Sequence, residues 1–311
     1  MLKIKFGSIL IICLLLIPSS VFALSMPSSG NDLANMAGIS AQSYVVADAA
    51  TGNILMSKNA DALWPPASLT KLVTALVVLD TGTKLTKTFA MSDADQVAGG
   101  CSQGGACIKT KAGVKFTVDN LFHAALIPSA NNAASALARS TGLSMEDFVA
   151  RMNQKASSLG AVKTHFNEPT GMDPANQITA GDYAKIVKAA FQNSYLRNVA
   201  GLQSYYLRSS NNSKYNQTIK NTDKLLADAD VKVLGAKTGF LDESKYNFAS
   251  LVKYKNGQEL AIVVLGEQHL YSAFAETKQL ASLAEEARGL ALLNFSPWVL
   301  GTSSVASIVK N

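Results

Sequence analysis

Three short motifs in this chain combine a hydroxyl nucleophile, two amines and a carboxamide at spacings that suit acyl transfer through a serine. In chain order they are Ser68-Leu69-Thr70-Lys71, Ser129-Ala130-Asn131 and Lys237-Thr238-Gly239. A serine hydroxyl is a weak nucleophile unless a neighbouring base takes its proton during attack. Lys71, three residues after Ser68, would lie on the same face of a helix. The first motif therefore predicts a nucleophile and its base.

Lys71 can act as a base only while its amine is neutral. An unperturbed lysine has a pKa of about 10.4, and lowering that pKa to roughly 7 or 8 requires about 4 kcal/mol. Burial or a second positive charge could supply this free energy, and Lys237 is a candidate for the second charge. Lys237 of the third motif would then lower the pKa of Lys71 in the first.

Each motif also has an ordinary structural interpretation when it stands alone. Ser68 would cap a helix and Lys71 would be a solvated helix lysine, while Ser129 and Asn131 would cap the next helix. Residues 237–239 would be a strand end followed by a glycine bend. These alternatives stay open for any single motif, and the ordered occurrence of all three favours the catalytic interpretation.

The residues around the first two motifs predict the helices that position them. Two prolines precede Ser68 and cannot continue an earlier helix, and residues 72–79 are apolar apart from Thr74. A buried helix should therefore begin at Ser68. Residues 132–139 are rich in alanine and predict a second helix. The Ser129 motif should thus lie on a turn between helical stretches.

The third motif should border a sheet. Residues 245–255 and 259–265 have the composition of two strands around the turn Asn256-Gly257, a sequence favoured in hairpins. Residues 44–56 predict another hairpin. The alanine-rich middle of the chain, from about 118 to 192, reads as helical.

With these contexts, the three motifs resemble the S-x-x-K, S-x-N and K-T-G motifs of the low-molecular-mass penicillin-binding proteins, the D-alanyl-D-alanine carboxypeptidases and endopeptidases. The resemblance covers roughly residues 41–266. Further segments that agree with the family pattern are 43–52, 65–68, 166–172, 179–182 and 221–226. The resemblance implies an α/β (α+β) fold like that of β-lactamases and DD-peptidases, with an antiparallel five-stranded sheet flanked by helices and a helical lobe.

The resemblance also suggests domain boundaries. The catalytic domain would span residues 41–293, preceded by an N-terminal linker at 24–40 and followed by a C-terminal tail at 294–311. A last helix is expected from residue 271 to 294, because its apolar residues recur at near-helical spacing. This helix should pack on the sheet.

The resemblance assigns catalytic roles. It implies that Ser68 is the nucleophile, that Lys71 is its base and that Ser129 relays a proton. Backbone N–H groups of Ser68 and Phe240 would form an oxyanion hole, where losing one donor typically costs about 100-fold to 1000-fold in rate.

No cofactor is implied. No metal is expected, because the three histidines are widely separated and no paired ligand motif occurs.

The same resemblance implies a substrate and the residues that bind it. Asn131 would donate to the substrate's amide carbonyl, Lys237 and Thr238 would hold its terminal carboxylate, and Gly239 would leave room for its backbone. The substrates would be peptidoglycan stem peptides that end in D-alanine or are cross-linked through it. β-Lactams would acylate Ser68 and inhibit the enzyme.

The sequence leaves three alternatives open. The short C-terminal region and residues 168–171 resemble the endopeptidase branch slightly more than the carboxypeptidase branch. A non-catalytic module that binds or senses penicillins would keep the same pocket, although intact Ser68, Lys71 and Lys237 argue against it. A serine β-lactamase shares the motifs, but no E-x-x-L-N segment lies between Ser129 and Lys237.

The first 23 residues resemble a secretory signal peptide. Lys3 and Lys5 precede an apolar run from Ile9 to Ile17, and small residues precede a cleavage position after Ala23. The run of nine residues is shorter than the ~20 needed to span a bilayer, so a membrane anchor is the less favoured alternative. We therefore expect export to the periplasm or extracellular cell envelope of a bacterium.

The charge balance argues against nucleic acid as a partner. Removing residues 1–23 takes away two lysines and no acidic residue, which lowers the formal net charge from +6 to +4. A charge of this size is compatible only with weak association with an anionic envelope.

The cysteines suggest one disulfide. Cys13 would leave with the signal segment, so Cys101 and Cys107 remain as a pair in an exported protein. A disulfide between them is expected, and two reduced cysteines in a loop are the alternative.

Overall fold

The structure is a computed structural model that describes residues 30–254 and 257–294. The expected signal segment 1–23, Asn256 of the expected turn and residues 295–311 of the expected tail lie outside the described residues. The strands are β1 (Ser43–Asp48), β2 (Ile54–Lys58), β3 (Thr88–Ala90), β4 (Lys115–Thr117), β5 (Ser204–Leu207), β6 (Gln217–Lys220), β7 (Lys232–Leu241), β8 (Lys245–Lys253) and β9 (Glu259–Glu267). The helices are α1 (Gly30–Met36), α2 (Thr70–Asp80), α3 (Asp93–Ala98), α4 (Val118–Leu126), α5 (Asn131–Arg139), α6 (Met145–Ser158), α7 (Ala180–Gln192), α8 (Ser194–Ala200) and α9 (Leu270–Asn294).

The main sheet has five strands in the order β2-β1-β9-β8-β7, and its pairs are antiparallel. The expected α+β fold with a five-stranded antiparallel sheet is confirmed, as are the hairpin β1–β2 and the strands β8 and β9. The third motif was expected to border the sheet, but it lies inside the edge strand β7. There Thr238 pairs with Phe248 and Gly239 with Asn247.

Helices cover both faces of the sheet. Successive side chains of its central strands point in opposite directions and therefore enter different hydrophobic clusters. Val263 of β9 packs in the cluster that contains α2 and α7, whereas its neighbour Val264 packs in the cluster that contains α9. Phe274 of α9 stacks edge-on against Phe248 at a ring distance of 4.9 Å. The expectation that the last helix packs on the sheet is confirmed.

The helical lobe is built from α2, α4, α5 and α6, and α2 lies near its centre with almost every side chain buried. Four helices fall within the stretch 118–192 that was expected to be helical. The expectation is wrong for residues 159–179, which form an irregular loop between α6 and α7. Buried side chains and backbone groups of this loop reach the first motif, so tertiary contacts decide its conformation.

Helix α1 lies within the segment that the sequence analysis assigns to a linker. Its Ala34 is buried in the same cluster as Phe274 of α9, so this part of the segment packs on the catalytic domain. None of the helices within residues 30–254 and 257–294 has the length and hydropathy of a membrane span.

Candidate active site

The first motif lies where the chain enters α2. Residues 67–69 form a short 3-10 turn, and Lys71 falls in the first turn of α2. The Nζ atom of Lys71 lies 2.7 Å from Oγ of Ser68. Ser68 is partly exposed, whereas only 1% of Lys71 is accessible to solvent. No described side chain caps either helical segment, so the ordinary interpretation of this motif is wrong.

The amine of Lys71 is surrounded by three oxygen atoms. Besides Oγ of Ser68, it contacts Oδ1 of Asn131 at 2.7 Å and the carbonyl oxygen of Thr170 at 2.5 Å. A neutral amine has two N–H donors and one lone pair. When the donors bind Asn131 and Thr170, the lone pair remains for the hydroxyl proton of Ser68. The contacts therefore orient the amine as proton abstraction requires.

Burial lowers the pKa of Lys71 to about 7, and the negative charge of Glu168 opposes this shift. The main cause is thus removal of the charged amine from water, not the second positive charge that the sequence analysis sought in Lys237. Near neutral pH a large fraction of Lys71 is unprotonated, as a general base requires.

The second motif forms the turn between α4 and α5. Ser129 has a left-handed backbone conformation with φ of 65°, which is uncommon for residues other than glycine. The N-cap of α5 is Ala130, and no described side chain caps this helix. Instead, buried Ser129 and Asn131 contact Lys237 and Lys71 respectively. The turn directs both side chains into the site, and the capping interpretation is wrong.

The third motif supplies a second buried amine. Lys237 is 1% exposed, and its Nζ atom donates to Oγ of Ser129 at 2.7 Å and to the carbonyl oxygen of Thr238 at 2.8 Å. Burial lowers the pKa of Lys237 well below its ordinary value, the charge of Lys71 lowers it further, and the charge of Asp223 opposes the shift. Two amines therefore share a region where neither is easily protonated.

Residues 221–226 contribute two groups to which the sequence analysis assigned no role. The hydroxyl oxygens of Thr222 and Thr238 lie 2.6 Å apart, and both residues line the cavity described below. Asp223 accepts a hydrogen bond from the N–H of Leu225 at 2.8 Å, and its other carboxylate oxygen has no partner among the described residues. Burial raises the pKa of Asp223 to about 6. The negative charge of Asp223 favours the protonated form of Lys237 and so opposes the lowering of its pKa.

The loop between α6 and α7 fixes the carbonyl oxygen of Thr170 that contacts Lys71. One carboxylate oxygen of Glu168 accepts the N–H and hydroxyl of Thr170, both at 2.6 Å, and the other accepts the N–H of Gly171 at 2.5 Å. Asn176 donates to Glu168 at 3.0 Å and to the hydroxyl of Thr70 at 3.2 Å. The sequence indicated only that residues 166–172 agree with the family pattern and that residues 168–171 resemble the endopeptidase branch, so these positioning roles were missed.

Two glycines allow other segments to approach the nucleophile. A Cβ atom at Gly171, whose φ is 85°, would lie 1.9 Å from the carbonyl oxygen of Ala67. A Cβ atom at Gly239 would lie 2.7 Å from the carbonyl oxygen of Pro66. The family resemblance implied that Gly239 makes room for the substrate's backbone. In the structure it makes room first for the chain that leads to Ser68.

A cavity of about 470 Å³ opens in front of these groups. The expected site residues that line it are Ser68, Ser129, Asn131, Thr238, Gly239 and Phe240. Phe240 is 47% exposed, whereas Lys71 and Lys237 are buried behind the hydroxyls of Ser68 and Ser129. The structure therefore brings the three motifs together around one cavity.

A disulfide closes one wall of this cavity. Cys101 and Cys107 are bonded, with Cα atoms 5.8 Å apart, and residues 103–106 of the enclosed loop line the cavity. Asn131 donates from its side chain to the carbonyl of Gly99 at 3.1 Å and from its backbone to the carbonyl of Ala106 at 2.6 Å. The loop is thus tied to the residue that orients Lys71.

This chain is similar in sequence to known proteins. Residues 31–269 match the S11 peptidase family model, described as D-alanyl-D-alanine carboxypeptidase. The chain is 32% identical over 217 residues to a D-alanyl-D-alanine endopeptidase of Haemophilus influenzae, covering 69% of this chain and 71% of that protein. It is 31% identical over 254 residues to D-alanyl-D-alanine carboxypeptidase DacF of Bacillus subtilis, covering 81% of this chain and 63% of DacF.

Solved structures of DD-peptidases are similar to this structure. A mutant of the Streptomyces K15 DD-transpeptidase matches with a TM-score of 0.74 and 27% identity, covering 80% of this chain and 98% of that chain. A D-alanyl-D-alanine carboxypeptidase from Mycobacterium tuberculosis matches with a TM-score of 0.69 and 29% identity, covering 81% and 91%. The chain therefore belongs to the S11 family of D-alanyl-D-alanine carboxypeptidases, which are serine hydrolases.

Proposed function

We propose that the protein hydrolyses D-alanyl peptide bonds in peptidoglycan stem peptides through an acyl-enzyme at Ser68. The observation that carries this proposal is the 2.7 Å contact between Oγ of Ser68 and the buried amine of Lys71. Neutral Lys71 takes the hydroxyl proton as Oγ bonds to the carbonyl carbon. The N–H groups of Ser68 and Phe240 stabilise the oxyanion. Collapse expels the leaving amine, and water then hydrolyses the ester on Ser68.

The second and third motifs bind the substrate and move a proton. Ser129, held by Lys237 at 2.7 Å, relays a proton to the leaving amine. The hydroxyl of Thr238 contacts the terminal carboxylate, while Lys237 attracts it from behind Ser129. A bound carboxylate favours the charged form of Lys237, so carboxylate binding is linked to proton uptake.

Asn131 is the donor to the substrate's amide carbonyl. Its Oδ1 is engaged with Lys71, and its Nδ2 lies 3.0 Å from the sulfur of Met172. A thioether is a weak acceptor, so a substrate carbonyl would replace it at little cost. Asn131 would then connect the substrate directly to the base.

Both carboxypeptidase and endopeptidase activity fit this site, since the relatives include proteins with each name. The test uses pentapeptide monomers and cross-linked dimers, with products followed by mass spectrometry. Loss of one terminal alanine establishes the first activity, and conversion of dimers to monomers establishes the second. Ser68→Ala should abolish both, while Ser157→Ala, at an exposed serine of α6, should retain them.

The reaction with penicillin distinguishes a DD-peptidase from the two alternatives, a binding or sensing module and a β-lactamase. A stable adduct on Ser68 together with peptide hydrolysis supports the proposal. An adduct without hydrolysis of any stem peptide would favour a module that only binds or senses penicillins. Rapid destruction of penicillin over many turnovers would favour a β-lactamase.

We also propose that residues 1–23 are a cleaved signal, that residues 41–293 are the catalytic domain and that the Cys101–Cys107 disulfide forms after export to the cell envelope. The composition of the first 23 residues and the envelope location of peptidoglycan support this. N-terminal sequencing of the protein purified from the envelope tests the cleavage site. An intact N-terminus on that protein would contradict it.

A further inference from the structure

The cavity extends past the catalytic groups to the hairpin between β7 and β8. Among the described residues that line it, Asp242 is the one aspartate, glutamate, lysine or arginine. Asp242 is exposed and forms no ion pair with any described residue. Glu243 and Lys245 flank it in the hairpin but do not line the cavity. The hairpin therefore contributes the one acidic side chain among the described residues that line the cavity.

The position of Asp242 is set by the strand that carries the third motif. Asp242 directly follows β7, which ends at Leu241, and Thr238, Phe240 and Asp242 all line the cavity. The hairpin is anchored to the approach to the nucleophile, because Trp64 donates to the carbonyl of Ser244 at 3.0 Å and Asn247 to that of Pro65 at 2.9 Å. These two hydrogen bonds tie the hairpin to the segment that leads to Ser68.

The same hairpin contributes two aromatic side chains to the lining of the cavity. The rings of Phe240 and Tyr246 lie 4.5 Å apart, and both residues line the cavity. Phe240 remains 47% exposed. An alkyl chain ending in a cation can lay its methylene groups on such rings while its head reaches a carboxylate.

The direction of the substrate follows from the proposed function, on which this inference rests. If the terminal carboxylate lies at Thr238 and the scissile carbonyl at the N–H of Phe240, the acyl portion continues toward Asp242. Two residues of extended chain span about 7 Å. The side chain that reaches Asp242 then belongs to the residue just before the alanine whose carbonyl is attacked.

We propose that Asp242, with Phe240 and Tyr246, forms a specificity subsite for a positively charged amine on the acyl-donor residue that precedes the scissile alanine. Substrates in which that amine is free are preferred over those in which it is acylated. The subsite thereby distinguishes a stem peptide with an unused amine from one whose amine already takes part in a cross-link.

A matched pair of peptides tests the subsite. Acetyl-L-Lys-D-Ala-D-Ala with a free side-chain amine is compared with the same peptide acetylated on that amine. Wild type should show a kcat/KM about threefold to fivefold higher for the free amine, as for a partly exposed ion pair. Asp242→Asn should bring the ratio to about 1, whereas Glu243→Gln should keep it. The wild-type preference should also shrink as NaCl rises from about 0.05 to about 0.5 M.

The outcomes separate the subsite from the activity. A wild-type ratio near 1, or a ratio that Asp242→Asn leaves intact, would overturn the subsite while the peptidase function stands. Failure of the wild type to cleave either peptide, together with failure to cleave cross-linked dimers, would instead refute the proposed function on which the subsite rests. If Asp242→Asn does not fold, the salt dependence of the wild-type ratio decides the question.

Discussion

The amine of Lys71 lies 2.7 Å from the hydroxyl of Ser68 in a setting that excludes water from the amine but not from the hydroxyl. This asymmetry lets burial depress the pKa of the base while the nucleophile stays open to substrate. The acid–base properties of the site thus follow from packing around α2.

The rate of penicillin acylation should rise with pH through about 7 and level off above it, because only the neutral amine of Lys71 accepts a proton and its pKa is about 7. Stopped-flow measurements with a fluorescent penicillin give this profile. The arginine of Lys71→Arg stays positively charged and cannot accept a proton near neutral pH, so the rate should fall by about 1000-fold or more. Lys163→Arg, at a lysine whose side chain is 51% exposed, is the control. Rapid acylation of Lys71→Arg would contradict the assignment of the base.

Glu168→Gln should shift the acylation profile toward lower pH. The charge of Glu168 raises the pKa of Lys71, so removing it lowers that pKa and makes the neutral amine available in more acidic solution. The maximal rate should also fall, because the new NH₂ group opposes the donors of Thr170 or Gly171. A reduced maximal rate with an unmoved midpoint would assign Glu168 a purely structural role.

Much of this site could be predicted from the sequence, since each motif carries its reactive atoms within four consecutive residues. Helix α2, the turn at Ser129 and strands β8 and β9 have local signals in proline, alanine and β-branched residues. Glu168 and Asp223 could not be assigned roles from the sequence. Glu168 affects the pKa of Lys71 and Asp223 that of Lys237 from outside the three motifs, and no local pattern shows that the fold brings these charges together. Strand β7 contains Gly235 and Gly239 and is defined by pairing with β8, which no local pattern reveals.

Breaking the disulfide should slow acylation without unfolding the protein. The Cys101→Ser, Cys107→Ser variant frees the loop whose ends are bound by Asn131, and Asn131 in turn orients Lys71. The chain-entropy model gives roughly 2 kcal/mol for closing so small a loop, so Tm should also fall. We expect a loss of acylation rate of about tenfold. A reductant should reproduce it in the wild type and have no effect on the double variant.

Glu267→Gln should stabilise the protein at neutral pH. Glu267 and Glu276 are buried, and both bind Ser40. Burial raises the pKa of Glu267, and the charge of Glu276 raises it further. Because the folded state then holds this proton more tightly than the unfolded chain, stability falls as pH rises above the ordinary carboxyl pKa.

A neutral amide at position 267 removes that loss. At pH 7 we expect a Tm about 2 to 4 °C higher, the shift that about 1 kcal/mol produces in a domain of this size. The gain should disappear near pH 4, where the wild-type carboxyl is protonated. Glu286→Gln, at an exposed position of α9, should show neither effect. A gain that persists at pH 4 would point to packing instead of charge.

Gly171→Ala should disable the site by displacing the segment that carries Ser68. The new Cβ atom would meet the carbonyl oxygen of Ala67 at 1.9 Å, so either the nucleophile or the carbonyl of Thr170 must move away from Lys71.

Gly142→Ala separates this clash from backbone strain, because Gly142 has a similar φ of 83° with no atom within 4 Å of an added Cβ. The control should lose only about 1 to 2 kcal/mol of stability and keep its acylation rate. Gly171→Ala should lose about 100-fold in acylation, since small misplacements of reacting groups have effects of that size. Equal acylation rates in the two variants would show that the close approach at Gly171 is dispensable.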